Sequence, residues 1–366
     1  MKRALLVLSL LVCTAAHAQR LDPNAGLKSY AGRILPQCPG GMLTLEQAGA
    51  TGPTNFIPYV VTVRSTDQYC GGQKYLLYSP KSQQVLIGTV IPLPTDGRPV
   101  NVRIADTAGE MLKQKLNAVV APFPLPDGLK SVAITHDTPF GAFAYYGFVD
   151  KSEQYLIVGF RGSLTADPAK SLKDALGASN AVRRGNAASK TEIIELSDFQ
   201  CPTCANAHQK VEPIIKANLS KINYLRLDLP LFEHHEWAIY AAMAARAIQR
   251  VAPTKYWQYV DYVFKNQEEV GKRPSFDAFF KEYAADHDLD WTALDKVYSS
   301  KPERQALLEQ VSRAFAVGIA STPTYLVNGQ IMGFGPDGSF TIDAIKHAIG
   351  TPAPAKPAKK TASSKK

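Results

Sequence analysis

The sequence of 366 residues predicts two domains: an α+β domain with a mostly antiparallel sheet, then an α/β domain interrupted by a block of helices. Three observations support this division. Residues 56–160 contain seven short runs rich in β-branched and aromatic residues, with a single good helix candidate among them. The later run TEIIELSDF is continuously apolar, which is typical of a strand buried on both faces. A long helical stretch and a strand hairpin follow that run.

Residues 1–18 have the pattern of a secretory signal peptide: a basic start, an apolar run and small residues in an A-x-A arrangement before Gln19. The apolar run is shorter than the roughly 20 residues that a membrane-spanning helix needs. A lipid anchor on Cys13 is an alternative, although the preceding Val12 fits a lipobox poorly. We therefore expect cleavage before Gln19 and a soluble protein in the periplasm or another extracytoplasmic space.

Residues 19–165 should form the α+β domain. Its helix is expected over residues 106–120, where Met111 and Leu112 belong to one apolar face. Residues 166–189 are small, polar and basic, which is the composition of a linker.

The mature chain would keep four cysteines, an even number in a compartment that permits disulfides. We expect Cys38 to pair with Cys70, and Cys201 with Cys204. The first pair is interpreted as a structural disulfide, because its spacing creates no activated thiolate at a helix end. A second redox pair is the alternative.

Residues 190–350 should form the α/β domain. The order is a buried strand, a helix that begins at the C-x-x-C sequence, a second strand, a helical block, a hairpin and a final helix. The hairpin lies in TPTYLVNGQIMG, where Asn328 and Gly329 predict a type I′ turn. The final helix should end at Gly350.

Over residues 190–350 the chain resembles DsbA-like thiol:disulfide oxidoreductases, which have a thioredoxin fold with a helical insertion. The resemblance rests on ELSDFQCPTC, on the alanine-rich helix near Glu236, and on STPTYLVNG about 120 residues after the cysteines. A C-x-x-C pair combined with a distant Thr-Pro-Thr segment is far more specific than C-x-x-C alone.

The chemistry of the cysteines follows from their position. Disulfide exchange needs a thiolate, and an ordinary cysteine with a pKa of about 8.5 supplies little at neutral pH. A helix that starts near Cys201 places this sulfur at a helix N-terminus, where unpaired N–H groups favour negative charge. Pro202 is tolerated at an early helical position. Cys201 is therefore the predicted nucleophile and Cys204, one turn further along, the predicted resolving thiol. Pro202 and Thr203 should help to set the reduction potential.

The resemblance implies two further elements of the site. Thr322 and Pro323 would form a cis-proline loop beside the cysteines, where Thr322 offers its backbone to a substrate peptide. Glu195 would lie beneath the active site and take a proton from the buried thiol. The alternatives are a trans proline that opens a strand and a solvated glutamate at a strand edge.

Several other polar residues are weaker candidates for the site. Cys201, Cys204 and His208, with His234 or His235, could be arranged as zinc ligands, but export and the Thr-Pro segment argue against a metal site. An exposed helical histidine is the favoured interpretation of His208. Asp198 could cap the cysteine helix.

The formal charge of +9 does not indicate a nucleic-acid partner. Seven of the positive charges lie in Lys2, Arg3 and the five lysines of residues 351–366. We expect this basic tail to be disordered because its Pro, Ala, Ser and Lys residues cannot bury a core.

The sequence thus favours an exported dithiol oxidase that needs no metal or organic cofactor. Its partners would be reduced exported proteins and a membrane redox partner that reoxidises the cysteines. One alternative is an isomerase or reductase that forms a homodimer through the first domain, as several disulfide isomerases do. The other is a non-catalytic chaperone or peptide-binding module.

Overall fold

The computed structural model describes residues 23–49, 52–68, 70–272, 274–334 and 337–350. The signal peptide predicted for residues 1–18 and the basic tail predicted for residues 351–366 lie outside these ranges. Among the described residues, no helix is both long enough and apolar enough to cross a membrane.

The helices are α1 (Pro23–Ile34), α2 (Val100–Leu112), α3 (Pro168–Ala175), α4 (Pro202–Ala217), α5 (Ala238–Val251), α6 (Tyr256–Lys265), α7 (Gln267–Gly271), α8 (Phe276–Asp286), α9 (Trp291–Tyr298), α10 (Lys301–Ala316) and α11 (Ser339–Ile349). The strands are β1 (Met42–Gln47), β2 (Ile57–Arg64), β3 (Gly72–Tyr78), β4 (Gln84–Pro92), β5 (Asn117–Val120), β6 (Lys130–Thr138), β7 (Gly141–Val149), β8 (Tyr155–Ser163), β9 (Val182–Gly185), β10 (Thr191–Ser197), β11 (Ile222–Asp228), β12 (Thr324–Val327) and β13 (Gln330–Met332).

The first eight strands form one antiparallel sheet in the order β1-β2-β3-β4-β8-β7-β6-β5. Helix α2 packs on it through Ile104 and Ala108, which are buried. The helix expected over residues 106–120 is therefore wrong in its bounds. Lys113 adopts a left-handed conformation at the end of α2 (φ 55°), and the chain then re-enters the sheet as β5. Met111 and Leu112 are exposed rather than part of an apolar face.

The second sheet has five strands in the order β13-β12-β10-β11-β9. Strand β10 pairs in parallel with β11 and antiparallel with β12, so it lies at the centre and is buried on both faces. Asn328 and Gly329 form the two-residue turn between β12 and β13, and both have positive φ angles, as a type I′ turn requires. Helix α11 ends at Gly350, which is also left-handed.

Helices α5 to α10 are inserted between β11 and β12. Three of them begin with a side-chain cap, which explains where each starts after a break in the apolar pattern. The side-chain oxygens of Ser275, Asp290 and Ser300 each accept a hydrogen bond from the backbone amide three residues later, at 3.1–3.3 Å. Two aromatic residues of α6, Tyr256 and Tyr259, are fully buried in the core.

The structure differs from the linker predicted for residues 166–189. This stretch contains α3, which Asp167 caps through the amide of Ala169, and the edge strand β9, which pairs with β11. Apolar residues are few in this segment, although Leu172 and Leu176, four positions apart, are buried. An edge strand needs only one partner for its backbone. Strand β9 is thus part of the second sheet, and the segment is folded rather than a flexible connection.

The two sheets share one hydrophobic core. Phe143 of β7 contacts the rings of Phe232 and Phe315, and the Gln305 side chain of α10 donates to the carbonyl of Ala142 at 2.8 Å. At the other end, the backbone of Gln37 bonds to β13 and its neighbour Gly333 at 2.9 Å. The predicted fold class is confirmed: a mostly antiparallel α+β unit precedes a thioredoxin-like unit with a helical insertion.

Candidate active site

The two cysteines lie where β10 ends and α4 begins. Cys201 is the N-cap residue of α4, Pro202 occupies the first helical position, and Cys204 lies in the first turn. The Cys201 carbonyl accepts the amides of Cys204 and Ala205, so the helix hydrogen bonds start at the nucleophile itself. No side chain caps this helix end, which leaves the positive end of the helix dipole beside the sulfur.

Both cysteines are free thiols, and both are buried. Cys201 is 7% exposed and Cys204 is fully buried. The Cys201 thiol lies 3.6 Å from the carbonyl of Thr322, and the Cys204 sulfur accepts the amide of Asp198 at 3.5 Å. Cys201 is therefore the more exposed of the two cysteines.

The two thiols differ in acidity. A hydrogen bond from Cys204, followed by one from the Thr322 side chain, lowers the pKa of Cys201 to about 6, against the opposing effect of burial. Burial, followed by the interaction with Cys201, raises the pKa of Cys204 well above its ordinary value. At neutral pH the pair thus carries a thiolate on Cys201 and a thiol on Cys204.

The Thr322–Pro323 peptide bond is cis. It precedes β12, and its Thr322 carbonyl lies beside Cys201. Thr322 is partly exposed, whereas Pro323 is buried. The structure therefore brings the Thr-Pro segment to the cysteines across more than one hundred residues of sequence, at the position that the resemblance implies.

Glu195 is buried in the centre of β10 and is 1% exposed. One carboxylate oxygen accepts the hydroxyl hydrogen of Tyr224, and the other has no partner among the described residues. The pKa of buried Tyr325 is raised mainly by desolvation and further by the charges of Glu195 and Cys204. Glu195 is thus not a solvated edge residue, and it lies in the same buried region as Cys204.

Asp198 organises the loops around the cysteines, a role that differs from the predicted helix cap. Its carboxylate accepts the amides of Gln200 and Leu231, each at 2.7 Å, and lies 2.7 Å from the imidazole Nδ1 of His235. This buried carboxylate therefore ties the segment before α4 to the segment before α5. No local sequence signal indicates a contact that depends on residues 33 and 37 positions away.

Two further residues support the active-site loop and were not predicted. Gln267, from α7 of the insertion, donates to the carbonyls of Phe199 and Cys201 at 2.8 and 3.0 Å. The guanidinium of Arg226 lies 4.2 Å from the centre of the Phe199 ring and forms a buried ion pair with Asp228. Phe199, two residues before Cys201, is thereby held from two sides.

His208 does not join the cysteines. It is buried rather than exposed, because its Nε2 atom lies 2.9 Å from Asp261 and its ring packs on Phe264. His208, Glu212 and Asp261 are the one group of potential metal ligands found in the described part of the chain. Arg184 and Lys216 already pair with these carboxylates.

Cys38 and Cys70 form a disulfide with a Cα–Cα distance of 5.6 Å. It connects the segment after α1 to the turn between β2 and β3. A Cβ atom built on Gly333 would lie 2.3 Å from the Cys70 sulfur, so this bond also packs closely against the end of β13. The disulfide thus lies where the antiparallel sheet meets the second sheet.

Comparison with known proteins identifies the second half of the chain. Residues 178–350 match the family model Thioredoxin_4, described as thioredoxin. Similar solved structures include the thiol-disulfide exchange protein α-DsbA2 from Wolbachia pipientis, with 16% identity, 50% of this chain and 91% of that chain covered, and a TM-score of 0.41. BdbD from Bacillus subtilis gives 16% identity, with 47% of this chain and 94% of that chain covered, and a TM-score of 0.39.

Curated relatives include Na⁺/H⁺ antiporter NhaA proteins from Salinispora. NhaA 3 of Salinispora tropica is 26% identical over 203 residues, which are 52% of this chain and 29% of the antiporter. NhaA 1 of Salinispora arenicola is 29% identical over 166 residues, 45% of this chain and 24% of that protein. The chain thus spans less than a third of the length of these relatives. The family match agrees with the C-x-x-C helix and its cis-proline loop, and over residues 178–350 the chain is similar to thioredoxin-fold proteins that include thiol:disulfide oxidoreductases of the DsbA type.

Proposed function

We propose that the protein is an exported dithiol oxidase that donates the Cys201–Cys204 disulfide to reduced proteins. The observation that carries this proposal is the difference in acidity between the two thiols. A thiolate that is stabilised on Cys201 makes the reduced form more stable, and the disulfide becomes more oxidising as a result.

The proposed reaction moves two electrons from the substrate to the sulfur pair. A substrate thiolate attacks the Cys201 sulfur, which forms a mixed disulfide and releases Cys204. A second substrate thiolate then attacks the substrate sulfur of that mixed disulfide. This step forms the substrate disulfide and releases Cys201 as a thiolate. Cys201 is the better leaving group because its pKa is the lower of the two.

Cys204 and Glu195 handle the proton in this proposal. Cys204 leaves as a buried sulfur that strongly favours the thiol form, so it must take up a proton. In the reverse direction, the thiol must lose that proton before it attacks Cys201 and frees a trapped substrate. Glu195 is the proposed proton donor and acceptor, since one of its carboxylate oxygens has no other partner among the described residues.

A membrane redox partner would reoxidise the reduced pair, and residues 1–18 would direct export to the periplasm or another extracytoplasmic space. The domain of residues 19–165 would bind substrate in this scheme. Sequencing the amino terminus of the protein recovered from a periplasmic fraction tests export, because the proposal predicts a first residue of Gln19.

The direct test of the catalytic role uses a reduced, unfolded protein as substrate and counts its free thiols after addition of the oxidised protein. We expect disulfide formation by the wild type and none by Cys201→Ala. A Cys201→Ala variant that still oxidised this substrate would refute the assignment of the redox pair.

A further inference from the structure

A cleft of 680 Å³ lies between the antiparallel sheet and the cis-proline loop. One wall is formed by β3, β4 and β8, which contribute Lys74, Thr89 and Val158. The opposite wall is formed by the chain before β12 and by β13, including Ile319, Thr322 and Met332. We call this space the interdomain cleft, since neither half of the molecule forms it alone.

The interdomain cleft is continuous with the redox pair. Thr203, an exposed residue between the two cysteines, lines it together with Thr322 and Pro323. The Thr322 carbonyl lies 3.6 Å from the Cys201 sulfur. A chain that occupied the cleft would therefore reach the sulfur that reacts.

The size of the cleft selects an extended segment rather than a folded domain. A volume of 680 Å³ falls within the range of about 300–1,000 Å³ that is typical of ligand pockets. This space admits a few residues of an extended chain, whose length is about 3.3 Å per residue. A folded substrate could not present a cysteine here unless a segment of it first opened.

The lining is mostly apolar, with five hydroxyl side chains and one charge. Among the described residues that line the cleft, Lys74 is the single charged side chain, and no carboxylate is present. Lys74 is exposed and is not ion-paired with any described residue. The cleft thus favours an apolar segment with an acidic side chain near its cysteine. The same charge disfavours the five lysines of residues 351–366 as an alternative occupant.

We infer that the interdomain cleft binds an extended, apolar and cysteine-bearing segment of an unfolded substrate protein, with an acidic substrate residue placed against Lys74. The sheet of the first domain is then half of the substrate site. This inference rests on the proposed function, because it assumes that Cys201 reacts with protein substrates.

The test compares a peptide with a small reagent that needs no cleft. The probe is a ten-residue apolar peptide with one glutamate, whose single cysteine is joined as a mixed disulfide to 5-thio-2-nitrobenzoate. The Cys201 thiolate of the reduced full-length protein attacks the peptide sulfur. The Cys201–peptide disulfide forms, the old S–S bond breaks and coloured thionitrobenzoate leaves. The small reagent is the symmetrical disulfide of 5-thio-2-nitrobenzoate, which releases the same product.

Thr89→Trp should fill the cleft from an exposed position on β4. We expect its rate constant with the peptide to fall about tenfold and its rate constant with the small reagent to change less than about twofold, because the lost binding acts on the peptide alone. Ser131→Trp is the matched control, since Ser131 is an exposed hydroxyl residue on β6 of the same sheet and does not line the cleft. It should leave both rates unchanged.

A charge reversal gives an independent measurement. Lys74→Glu should slow the reaction with the glutamate peptide several-fold and accelerate the reaction with a peptide that carries lysine instead. Lys81→Glu lies at an exposed turn outside the cleft and should change neither rate. The inference would be overturned if Thr89→Trp slowed the reactions with the peptide and with the small reagent equally. It would also be overturned if Thr89→Trp slowed neither reaction and Lys74→Glu did not change the preference for peptide charge. Both results would leave the proposed redox function intact.

Two further outcomes distinguish a wrong occupant of the cleft from a failure of the proposed function. If removal of residues 351–366 accelerated the peptide about tenfold in the wild type and not in Thr89→Trp, the tail would occupy the cleft and the inference would be wrong. If neither probe reacted with Cys201 in the wild type, the proposed function itself would fail.

Discussion

Cys201 and Cys204 are separated by two residues, yet their surroundings push their pKa values in opposite directions. Cys201 lies at the start of α4 and receives hydrogen bonds from Cys204 and Thr322, which stabilise its thiolate. Cys204 is fully buried, and burial disfavours charge. The pair therefore holds one thiolate and one proton over a broad range of pH.

The rate of alkylation of Cys201 should follow the ionisation of its thiol. We expect its rate in the reduced wild type to rise with pH through a midpoint near 6, since the thiolate is the reactive form. The hydrogen bond from Cys204 makes the largest contribution to the low pKa, so Cys204→Ala should raise the midpoint. Cys204→Ser keeps a hydrogen-bond donor and should raise it less. A midpoint near 9 in the wild type, or an unchanged midpoint in Cys204→Ala, would contradict this explanation.

Glu195→Gln preserves the size of the side chain and removes its ability to accept a proton. We expect the attack of Cys204 on a Cys201 mixed disulfide to slow by about tenfold or more at pH 7, as loss of a general base does. The defect should shrink as pH rises and hydroxide takes over. Release of the bound peptide after rapid formation of the mixed disulfide measures this step.

Tyr224→Phe is the matched control for Glu195→Gln, because it removes the hydrogen bond to the carboxylate and keeps the carboxylate itself. It should retain most of the rate. If Glu195→Gln released peptide as fast as the wild type at every pH, Glu195 would have no part in proton transfer.

Strand β9 belongs to the second sheet and helix α3 packs on α1 and β8, although the sequence predicts a linker there. Arg184 of β9 forms a buried ion pair with Glu212 of α4 and lies 3.9 Å from the centre of the Trp257 ring. This short strand is held by side chains that are distant in sequence. Its contacts thus connect the edge of the sheet to the cysteine helix and to the insertion.

Arg184→Ala should reduce the free energy of unfolding by about 3–5 kcal/mol, because it leaves the Glu212 carboxylate buried with less compensating charge. Arg183→Ala is the control, since the neighbouring side chain is exposed, and it should change stability by less than about 0.5 kcal/mol. Urea unfolding of the two variants measures the difference. Equal, small effects would mean that β9 is the loose connection that its composition suggests.

The accuracy of the sequence predictions follows the range of the interactions involved. The helix at Cys201, the turn at Asn328 and Gly329 and the strand β10 carry local signals, and the structure has each of them. The predicted end of α2 is wrong because a left-handed Lys113 ends the helix, and lysine gives no signal for that conformation. Asp198, Gln267 and Arg226 support the active site through partners that no local pattern reveals.

At the scale of the whole molecule, the two sheets are joined by α10 and by the segment after α1. Phe143, which is 1% exposed, packs its ring against aromatic residues of both the loop after β11 and α10. The sequence predicts a separate first domain because the shared core arises from residues more than 80 positions apart. The contact also positions β3 and β4 opposite the cis-proline loop, where the interdomain cleft forms.

Phe143→Ala should lower stability by about 3–5 kcal/mol, which is typical of a buried phenylalanine. Because the core is shared, we expect calorimetry of the wild type to record one cooperative unfolding transition. Phe123→Ala is the control, since this side chain is 81% exposed, and its effect should be below about 0.5 kcal/mol. Two well-separated transitions in the wild type would mean that the halves are energetically independent.

The central claim is that the stabilised Cys201 thiolate makes this pair an oxidant. The reduction potential of the Cys201–Cys204 disulfide tests it most directly, and equilibration with glutathione buffers of known ratio gives the value. We predict a potential of about −120 mV, the value for DsbA, because each tenfold stabilisation of the reduced form raises the potential by about 30 mV. A potential of about −270 mV, the value for thioredoxin, would contradict the proposed oxidase function and indicate a reductase.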